Sequence, residues 1–512
     1  MIVHPDISPK QISRLNDDIW QISDWDYYQK DGMIYCPYYN FYNKSEPLSI
    51  INNSQLQSQN PIFSEESIGS MIKINDGLLY ITGYISNTLV TFSTLKAYSK
   101  TTSTTDWEES SFSNKRGWPT SVTFHQDRMV IGGSKSLPNR LWLSKSSDLF
   151  NFDLGDGLDD EAIEFAILSD QVNAIKGVIS SRHLLVLTTG AEWMVSGEPL
   201  TPSSVQLLRQ TSIGIYPKRN IPLLQVDGAV IFVSRNGEQL RECLFADVEQ
   251  AYLSKDLTLL SNNILKSPVD ASFNPDINVL YFVLEDGTIS CLTSYRTENV
   301  NAWSKLTTDG SFVSVCVSGD DTYFCINRDN KYCIEKFDPK LYLDSGIILN
   351  SPTPQKIWNN LERFNDKTIS LVADGYNAGT VKVTNGSIEL LEEAKELIIG
   401  YPYEHIIEPL PFMKEASVPY FPTAHRIIKS VFKILESNSF CVDMGKGYFN
   451  VPLRRMSDDK ILDADPIKFT GDIKLHALGW IRDIKKTMWS IKSSEPGAFT
   501  LLSVVTDIKT KD

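Results

Sequence analysis

Short apolar runs that alternate with polar positions dominate the chain and predict β-strands rather than helices. Between Gly117 and about Ser345 these runs are rich in Val, Ile, Phe and Tyr, and Asp, Asn and Gly separate them. This is the pattern of half-buried strands joined by tight turns. Dipeptides typical of hairpin turns occur between such runs at Asn236-Gly237, Asp286-Gly287, Asp374-Gly375 and Asn385-Gly386. The pattern therefore predicts an all-β protein.

A loose repeat runs through the same region. Strand-like segments recur at intervals of 56, 48, 43 and 46 residues, and they are marked by Val122, Val178, Val226, Val269 and Val315. Four-stranded propeller blades repeat at about 40 to 50 residues, because one such unit cannot bury both of its faces and stacks against the next. We therefore expect a β-propeller over residues 114–345, and a β-sandwich with long loops is the alternative.

Two further β-rich regions flank the expected propeller, residues 1–113 and residues 346–512. We expect them to form barrel-like or sandwich-like domains. Within the second region, residues 423–436 are ambiguous. Their apolar positions fit the period of a helix, whereas their β-branched residues and the SFCVDMG that follows fit a strand.

Composition excludes several classes of protein. The 512 residues carry 49 Lys and Arg against 63 Asp and Glu, a formal net charge of -14. This balance argues against a sequence-specific DNA-binding protein and against binding to an anionic membrane surface. No signal peptide is recognisable, and no run approaches the ~18 apolar residues of a membrane span. Seven cysteines without a CxxC pair are interpreted as reduced, half-buried thiols of a protein made in a reducing cytosol.

Candidate chemistry is sparse. The six histidines form no HxxxH or HExxH pattern, and no GxSxG, Walker or GxGxxG motif occurs. His125 and Asp127 could form an acid–base pair on one strand face, but a polar face packed on a neighbouring blade is the simpler interpretation. The densest acidic segment, FDLGDGLDDEAIEF at 152–165, lacks the spacing of an EF-hand loop. We expect a solvated loop there, and a loosely held cation is the alternative. We expect no catalytic, cofactor-binding or metal-binding residues in the chain.

Segments spread over nearly the whole chain carry a family likeness. In order they include HPDISPKQISRLNDDIWQI, RGWPTSVTFHQDRMVIGGSKSLPNRLWLSKSSDLFNF, DDEAIEF, LLVLTTGAEWMVSG, GAVIFVSRNGEQLRE and EPGAFTLLSVVTDI. Together they resemble the tail nozzle proteins of short-tailed bacteriophages, often called tail tubular protein B. In longer relatives a further β-rich region precedes the HPDISP segment. The position of Met1 therefore predicts either a reduced upper domain or another chain that supplies the missing part.

The resemblance implies a structural protein of a virion tail, assembled in the cytoplasm of a bacterial host. The particle would be a phage, a prophage or a gene-transfer particle. The resemblance implies a homohexameric ring below the portal adaptor that carries tail fibres or spikes and conducts double-stranded DNA, with no catalysis and no cofactor. Acidic loops would let DNA slide, because basic contacts to phosphates add affinity. The residues expected to face the lumen are Asp153, Asp156, Asp159, Asp160, Glu161 and Glu164.

An aromatic segment near the N-terminus is a candidate for the seam between subunits, because Tyr and Trp are enriched at interfaces. Its residues are Trp25, Tyr27, Tyr28, Tyr38 and Tyr39. Ordinary packing on the surface of a barrel is the alternative for these side chains. For the protein as a whole, the alternatives are a tail-borne carbohydrate-active propeller and a propeller that acts as an interaction scaffold.

Overall fold

The structure is a computed structural model that describes residues 1–169, 173–412, 425–453, 468–477, 479–481 and 486–510. Within these residues the secondary structure consists of β-strands and two short 3₁₀ turns, Glu65–Ser67 and Glu362–Phe364. The predicted all-β class is therefore confirmed. The chain divides into two compact units. Unit 1 contains Met1–Thr307 and Ser311–Asn327, and unit 2 contains Thr308–Gly310 and Arg328–Asp512.

Five antiparallel sheets follow one another along residues 121–336, and in each of them neighbouring strands are consecutive in the chain. We call them blades 1 to 5. The strands of blade 1 are Ser121–His125, Arg128–Gly132, Arg140–Leu143 and Ile163–Ala166, and those of blade 2 are Ile175–Ser180, Leu184–Thr188, Glu192–Ser196 and Gln206–Thr211. Blade 3 has Leu224–Val226, Ala229–Val233, Leu240–Ala246 and Ala251–Asp256, and blade 4 has Pro268–Asn274, Val279–Leu284, Ile289–Tyr295 and Val300–Leu306. Blade 5 has Ser311–Ser318, Asp321–Arg328 and Lys331–Lys336.

The blades pack face to face, which explains their apolar strands. In blade 2, Leu184 and Val186 belong to the core shared with blade 1, whereas Leu185 and Leu187 belong to the core shared with blade 3. Successive side chains of a strand point to opposite faces, so a strand covered on both sides is apolar throughout. Blades 3 and 4 and blades 4 and 5 share cores in the same way. Stacked four-stranded meanders of this kind form a β-propeller.

The repeat in the sequence marks the first strand of every blade. Val122, Val178, Val226, Val269 and Val315 lie in the first strands of blades 1 to 5, in that order. First strands of neighbouring blades lie side by side in blades 1 and 2, 3 and 4, and 4 and 5. The interval between these valines is therefore the interval between blades, as predicted.

The predicted hairpin turns fall into two groups. At Asp374-Gly375 and Asn385-Gly386 both residues have positive φ, between 45° and 83°, which confirms two-residue turns of the primed type. At Asn236-Gly237 and Asp286-Gly287 only the glycine has positive φ, and the chain reverses over a wider loop. A further primed turn joins the first two strands of blade 1. It contains no glycine, and its residues Gln126 and Asp127 have φ of 45° and 59°.

An N-terminal sheet precedes the blades. Its strands are Ile2–His4, Ile7–Arg14 and Trp20–Asp24, in that order across the sheet. The Trp118 amide donates to the Pro5 carbonyl at 3.0 Å, which places this sheet beside blade 1. A short pair, Gln29–Lys30 and Met33–Ile34, follows. A seven-stranded sheet then packs around its own core; its strands are Tyr38–Tyr39, Leu48–Ile51, Gln55–Ser58, Met71–Ile74, Gly77–Ser86, Leu89–Lys96 and Trp107–Ser110.

Unit 2 contains three further sheets around two cores. The first has Asp344–Trp358, Ile388–Tyr401, Thr368–Ala373 and Tyr376–Lys382, the second has His405–Ile407, Ser490–Ser493, Phe440–Asp443 and Tyr448–Val451, and the third has Phe469–His476, His425–Ser437 and Thr500–Thr510. The ambiguous segment 423–436 is a strand from His425 onward. Its pairing register shifts between Ile427 and Lys429, and such a bulge interrupts the strict two-residue alternation.

All seven cysteines are free. Cys36, Cys243 and Cys291 are buried, and burial raises the pKa of the Cys36 thiol to about 12. Cys316 and Cys333 are exposed. The expectation of half-buried thiols is therefore wrong for these two. Cys316 is at an exposed position of the strand Ser311–Ser318, and Cys333 lies in Lys331–Lys336, where every residue except Glu335 is exposed.

Candidate functional site: the acidic end of the propeller

The connections between strands gather at two ends of the blades. In an antiparallel meander, turns between strands 1 and 2 and between strands 3 and 4 lie at one end, and turns between strands 2 and 3 lie at the other. Hydrogen bonds join connections of the first kind from blade to blade. Ser181 Oγ donates to the Gly228 carbonyl at 3.3 Å, and Asn274 Nδ2 donates to the Asp320 carbonyl at 3.0 Å. These turns therefore form one common end of the propeller.

We call this end the acidic end. It consists of residues 126–127, 144–162, 181–183, 197–205, 227–228, 247–250, 275–278, 296–299 and 319–320. These connections contain fourteen acidic residues and three basic ones. The opposite end consists, within the described residues of unit 1, of 133–139, 167–169, 173–174, 189–191, 212–223, 234–239, 257–267 and 285–288, with three acidic and five basic residues. The two ends of one propeller thus differ strongly in charge.

A buried arginine holds the longest loop of the acidic end, residues 144–162. The Arg128 side chain donates through Nη1 to the carbonyls of Ser144 (2.7 Å) and Glu161 (2.6 Å), and through Nη2 to the carbonyl of Asp159 (2.7 Å). Only 2% of Arg128 is exposed, and burial lowers the pKa of its guanidinium. Since carbonyl oxygens accept these bonds, Arg128 engages none of the carboxylates of the loop.

The six acidic candidates occupy different environments. Asp153, Asp156 and Asp159 are exposed on the loop. Asp160 is bound by Lys145 at 2.8 Å, and this hydrogen bond lowers the pKa of Asp160. Glu161 accepts a hydrogen bond from the Leu158 amide at 2.7 Å.

Glu164, the sixth candidate, lies on the fourth strand of blade 1 rather than on the loop. It pairs with Arg140 at 2.5 Å in a half-buried position, and burial raises the pKa of this carboxyl against the effect of Arg140. Of the six residues, the loop therefore presents Asp153, Asp156 and Asp159 most openly. That any of them faces a lumen stays a prediction.

The basic residues of the acidic end are engaged. Lys145 pairs with Asp160, and Arg182 pairs with Asp247 at 2.5 Å. Arg296 binds the Glu242 carboxylate and donates to the Asp227 carbonyl at 2.7 Å. Each positive charge of this end therefore already has an oxygen partner within the protein.

Two carboxyl groups meet where blades 4 and 5 adjoin. Asp276 and Asp320 lie on the turns between the first two strands of these blades, and a hydrogen bond between them raises the pKa of Asp276. Asn274 orders the turns: its Oδ1 accepts from the Asp276 amide at 3.0 Å, and its Nδ2 donates to Thr322 Oγ1 at 3.0 Å. At neutral pH this pair adds to the negative potential of the acidic end.

His125 is used between blades. Its Nδ1 lies 2.8 Å from Ser180 Oγ of blade 2, and burial lowers the pKa of its imidazole. Asp127, the proposed acid–base partner, lies in the primed turn next to it. The simpler interpretation, a polar strand face packed on a neighbouring blade, is therefore the one that describes His125.

The aromatic candidates pack largely within the chain. Trp25 is buried against Phe150 of the 144–162 loop, with ring centroids 6.1 Å apart. Tyr38 donates to the Ile34 carbonyl at 2.7 Å, and the ring of Tyr39 lies 4.2 Å from the Arg140 guanidinium.

The two remaining aromatic candidates differ from each other. The Tyr27 hydroxyl is buried, whereas Tyr28 is 41% exposed. Tyr28 therefore offers the largest free surface of the five to another subunit. A role of these residues in a seam between subunits stays a prediction.

A second surface, on the N-terminal hairpin, was not predicted from the sequence. The N-terminal hairpin exposes the apolar side chains of Ile12, Leu15, Ile19, Trp20 and Ile22. In the sequence, apolar and polar residues alternate in ISPKQISR and WQISD. This alternation is typical of a strand with one buried face, so it does not indicate that the apolar side is exposed.

The described residues contain no group of three or more His, Cys, Asp or Glu side chains placed to hold a metal ion. No helix among them is long and apolar enough to span a membrane.

Comparisons with known proteins add no functional class to the fold described above. No family model matches the chain, and no curated protein matches it. Among solved structures it is similar to Raptor from Chaetomium thermophilum, with 10% identity over 55% of this chain and 27% of Raptor and a TM-score of 0.28. It is also similar to the β-propeller domain of Cps50 (Swd1) from Myceliophteria thermophila, with 10% identity over 66% of this chain and 98% of that domain and a TM-score of 0.28.

A third similar structure is a putative 6-phosphogluconolactonase from Bacteroides uniformis, with 10% identity over 57% of this chain, 80% coverage of that chain and a TM-score of 0.32. These scores are low. The class of the protein, an all-β chain that contains a β-propeller, rests on the order of the sheets and on the cores that they share.

Proposed function

We propose that this protein is a structural β-propeller scaffold that acts by assembling with other proteins and carries out no catalysis. The observation that carries the proposal is the use of its polar groups. His125 and Asn274 bind neighbouring blades, and Arg128 binds carbonyls of its own loop. Most acidic side chains of the acidic end stand on exposed turns, where water is free to solvate them, rather than in an enclosed pocket of the kind that tunes catalytic groups.

We propose further that the assembly is the tail nozzle ring which the sequence resembles, with the acidic end turned toward the DNA. Duplex DNA carries one negative charge per about 1.7 Å, and free Lys or Arg side chains would bind its phosphates. The three basic residues of the acidic end are already paired, and fourteen acidic residues surround them. Screening limits the repulsion to about 8 Å at physiological salt. Such a lining keeps DNA from adhering without hindering its passage.

The ring is tested by mixing the full chain with its portal adaptor and measuring the mass by light scattering. Six copies of the 57.7 kDa chain give a ring of roughly 350 kDa, and negative-stain images should show six-fold symmetry. A chain that stays monomeric in this mixture contradicts the nozzle proposal. A complex with another protein that forms no ring would agree with the scaffold proposal and contradict the nozzle proposal.

The role of the acidic end is tested by the triple variant Asp153→Lys, Asp156→Lys, Asp159→Lys. We expect the natural chain not to retain duplex DNA and the variant to bind it, with a log–log salt slope of about -2.7 for three new phosphate contacts. The matched control is Glu238→Lys, Glu285→Lys, Asp286→Lys at the opposite end. In assembled particles only the first variant should slow the release of DNA. Equal slowing by both variants would contradict the orientation.

Glycan turnover distinguishes the carbohydrate-active alternative. Turnover by the purified chain that is lost in Asp276→Asn or Asp320→Asn would overturn the proposal of a scaffold without catalysis. These two residues are the ones to change, because they form the carboxyl pair of the acidic end.

A further inference from the structure

The N-terminal hairpin carries an apolar surface on an open sheet edge. Its strands Ile7–Arg14 and Trp20–Asp24 pair so that Ile12 lies beside Ile22, Arg14 beside Trp20 and Lys10 beside Asp24. On this face Ile12 is 43%, Trp20 62% and Ile22 67% exposed. Isolated apolar residues on a surface are ordinary, but contiguous ones mark interaction sites.

The strand Trp20–Asp24 is the edge of its sheet. The sheet has three strands, and Trp20–Asp24 is outermost, with a paired strand on one side only. All five residues of the edge strand are exposed. An open edge presents unpaired amide and carbonyl groups and pairs readily with a strand of another chain.

We propose that this edge pairs with the same strand of a second copy of the chain, antiparallel about a two-fold axis at Ile22. The pairing places Ile22 against the second copy's Ile22. Because Ile12 already lies beside Ile22, the joined sheets carry a row of four isoleucines across both copies. Cross-strand pairs of β-branched residues on one face stabilise a sheet.

Charge favours a second copy over an unrelated partner. In this register Asp24 lies opposite the second copy's Trp20, whose ring is covered by Arg14 of that copy; within one chain Arg14 lies 5.8 Å from the Trp20 centroid. Asp24 already binds Lys10 at 2.6 Å. Each Asp24 would therefore stand between Lys10 of its own chain and the second copy's Arg14. Within one chain Arg14 pairs with the exposed Asp17 at 2.5 Å, and on pairing it would exchange this surface partner for Asp24. The two-fold symmetry makes the same contact twice.

The size of the contact sets the expected affinity. A five-residue edge with one apolar face is smaller than the ~800 Å² per partner of a standard interface. We therefore expect a dimer with a dissociation constant of about 10 μM. The contact is two-fold, whereas the contacts of the proposed ring run head to tail, so either can be lost without the other.

Light scattering of the full chain over a range of concentrations tests the pairing. We expect a shift from 57.7 kDa toward twice that mass. Ile22→Lys should weaken the dimer roughly 100-fold, because it removes apolar contact and opposes two like charges. The control is Ile7→Lys, which is also exposed but on the opposite face of the hairpin, and it should leave the dimer unchanged. Unaltered circular dichroism and melting of both variants verify that they fold.

Cross-linking tests the register independently. With exposed Cys316 and Cys333 changed to Ser, Ile22→Cys should form a disulfide between two copies under mild oxidation, because only this residue lies opposite itself. Ser23→Cys points to the other face and should not. Three results would overturn the proposal: a single mass of 57.7 kDa up to ~100 μM, a dimer that Ile22→Lys leaves intact, or equal cross-linking of Ser23→Cys and Ile22→Cys.

Discussion

The two ends of the propeller are built from the same kind of chain reversal and are held in different ways. At the opposite end, main-chain bonds join each connecting segment to the neighbouring blade: the Ile215 amide donates to the Thr188 carbonyl at 2.9 Å, and the Phe312 amide donates to the Gly287 carbonyl at 2.9 Å. At the acidic end side chains make the links, as between His125 and Ser180.

This difference bears on where charge can accumulate. Main-chain bonds do not depend on the charge of a side chain, so the links between blades at the opposite end need no charged residues. The acidic end depends on particular residues that bridge blades or support loops, and its remaining positions are open to substitution. The exposed carboxylates of Asp153, Asp156 and Asp159 make none of these links, so the loop 144–162 carries negative charge at positions that the packing of the blades does not use.

The strongest test of this comparison removes the guanidinium of Arg128, which holds the loop 144–162. Arg128→Met leaves the carbonyls of Ser144, Asp159 and Glu161 without a donor in a buried place, which should cost about 3–5 kcal/mol. The midpoint of urea unfolding measures this loss of stability. Arg235→Met at the opposite end is the control, since that side chain is exposed and should change stability by less than about 0.5 kcal/mol. A loss below about 1 kcal/mol in Arg128→Met would mean that the loop is held by other groups.

Two glycines compare the packing of the ends directly. Gly228 and Gly237 both have positive φ, 77° and 74°, but a Cβ on Gly228 at the acidic end would meet open space. A Cβ on Gly237 at the opposite end would lie 2.5 Å from the ring of Tyr216, which is buried. Gly237→Ala should therefore cost about 2–4 kcal/mol, the sum of backbone strain and overpacking, and Gly228→Ala about 1 kcal/mol. Equal losses in thermal or urea unfolding would refute the difference in packing.

The spacing of the blades was predictable from the sequence because it depends on a local pattern. Every blade begins with a strand that packs against a neighbouring first strand or core, so valines such as Val178 and Val226 recur at the interval of one blade. The segment 423–436 was not predictable in the same way. Its bulge near Ile427 shifts the buried face by one residue, and the resulting apolar spacing imitates a helix.

The charge of the acidic end could not be read from the sequence. Asp127, Asp227, Asp276 and Asp320 stand on separate turns far apart in the chain, and only the stacking of the blades brings them to one end. The acidic loop 153–161 was visible as a cluster, but its buried support by Arg128 was not, since that residue lies in a strand that reads as ordinary core. The N-terminal hairpin was missed for the converse reason, because exposed Ile12 and Ile22 alternate with polar residues as buried ones do.

A smaller effect concerns pH. Burial lowers the pKa of His125 below its usual 6.5, so the folded state binds the proton less readily than the unfolded state does. The stabilising contribution of neutral His125 is complete above about pH 6.5 and is lost as the pH falls through that value toward the lowered pKa. His125→Gln retains a partner for Ser180 and should flatten this part of the stability profile. The exposed His476 provides the control, and an equal flattening by His476→Gln would contradict the assignment.

The smallest effect tests repulsion within the acidic end. The pKa of Asp276 is raised by its hydrogen bond with Asp320, so this contribution is present below 3.8, the usual value, and is lost as the pH rises through the raised pKa. Above that pH two carboxylates oppose each other. Asp276→Asn keeps a donor toward Asp320 and removes one charge, and it should raise the melting temperature slightly at about pH 7 and leave it unchanged at about pH 3. Asp320→Asn should act alike, and the two changes together should gain less than their sum because they remove the same repulsion. A loss of stability at about pH 7 would show that the pair attracts a cation or shares a proton there, and that the acidic end is not a surface of unopposed negative charge.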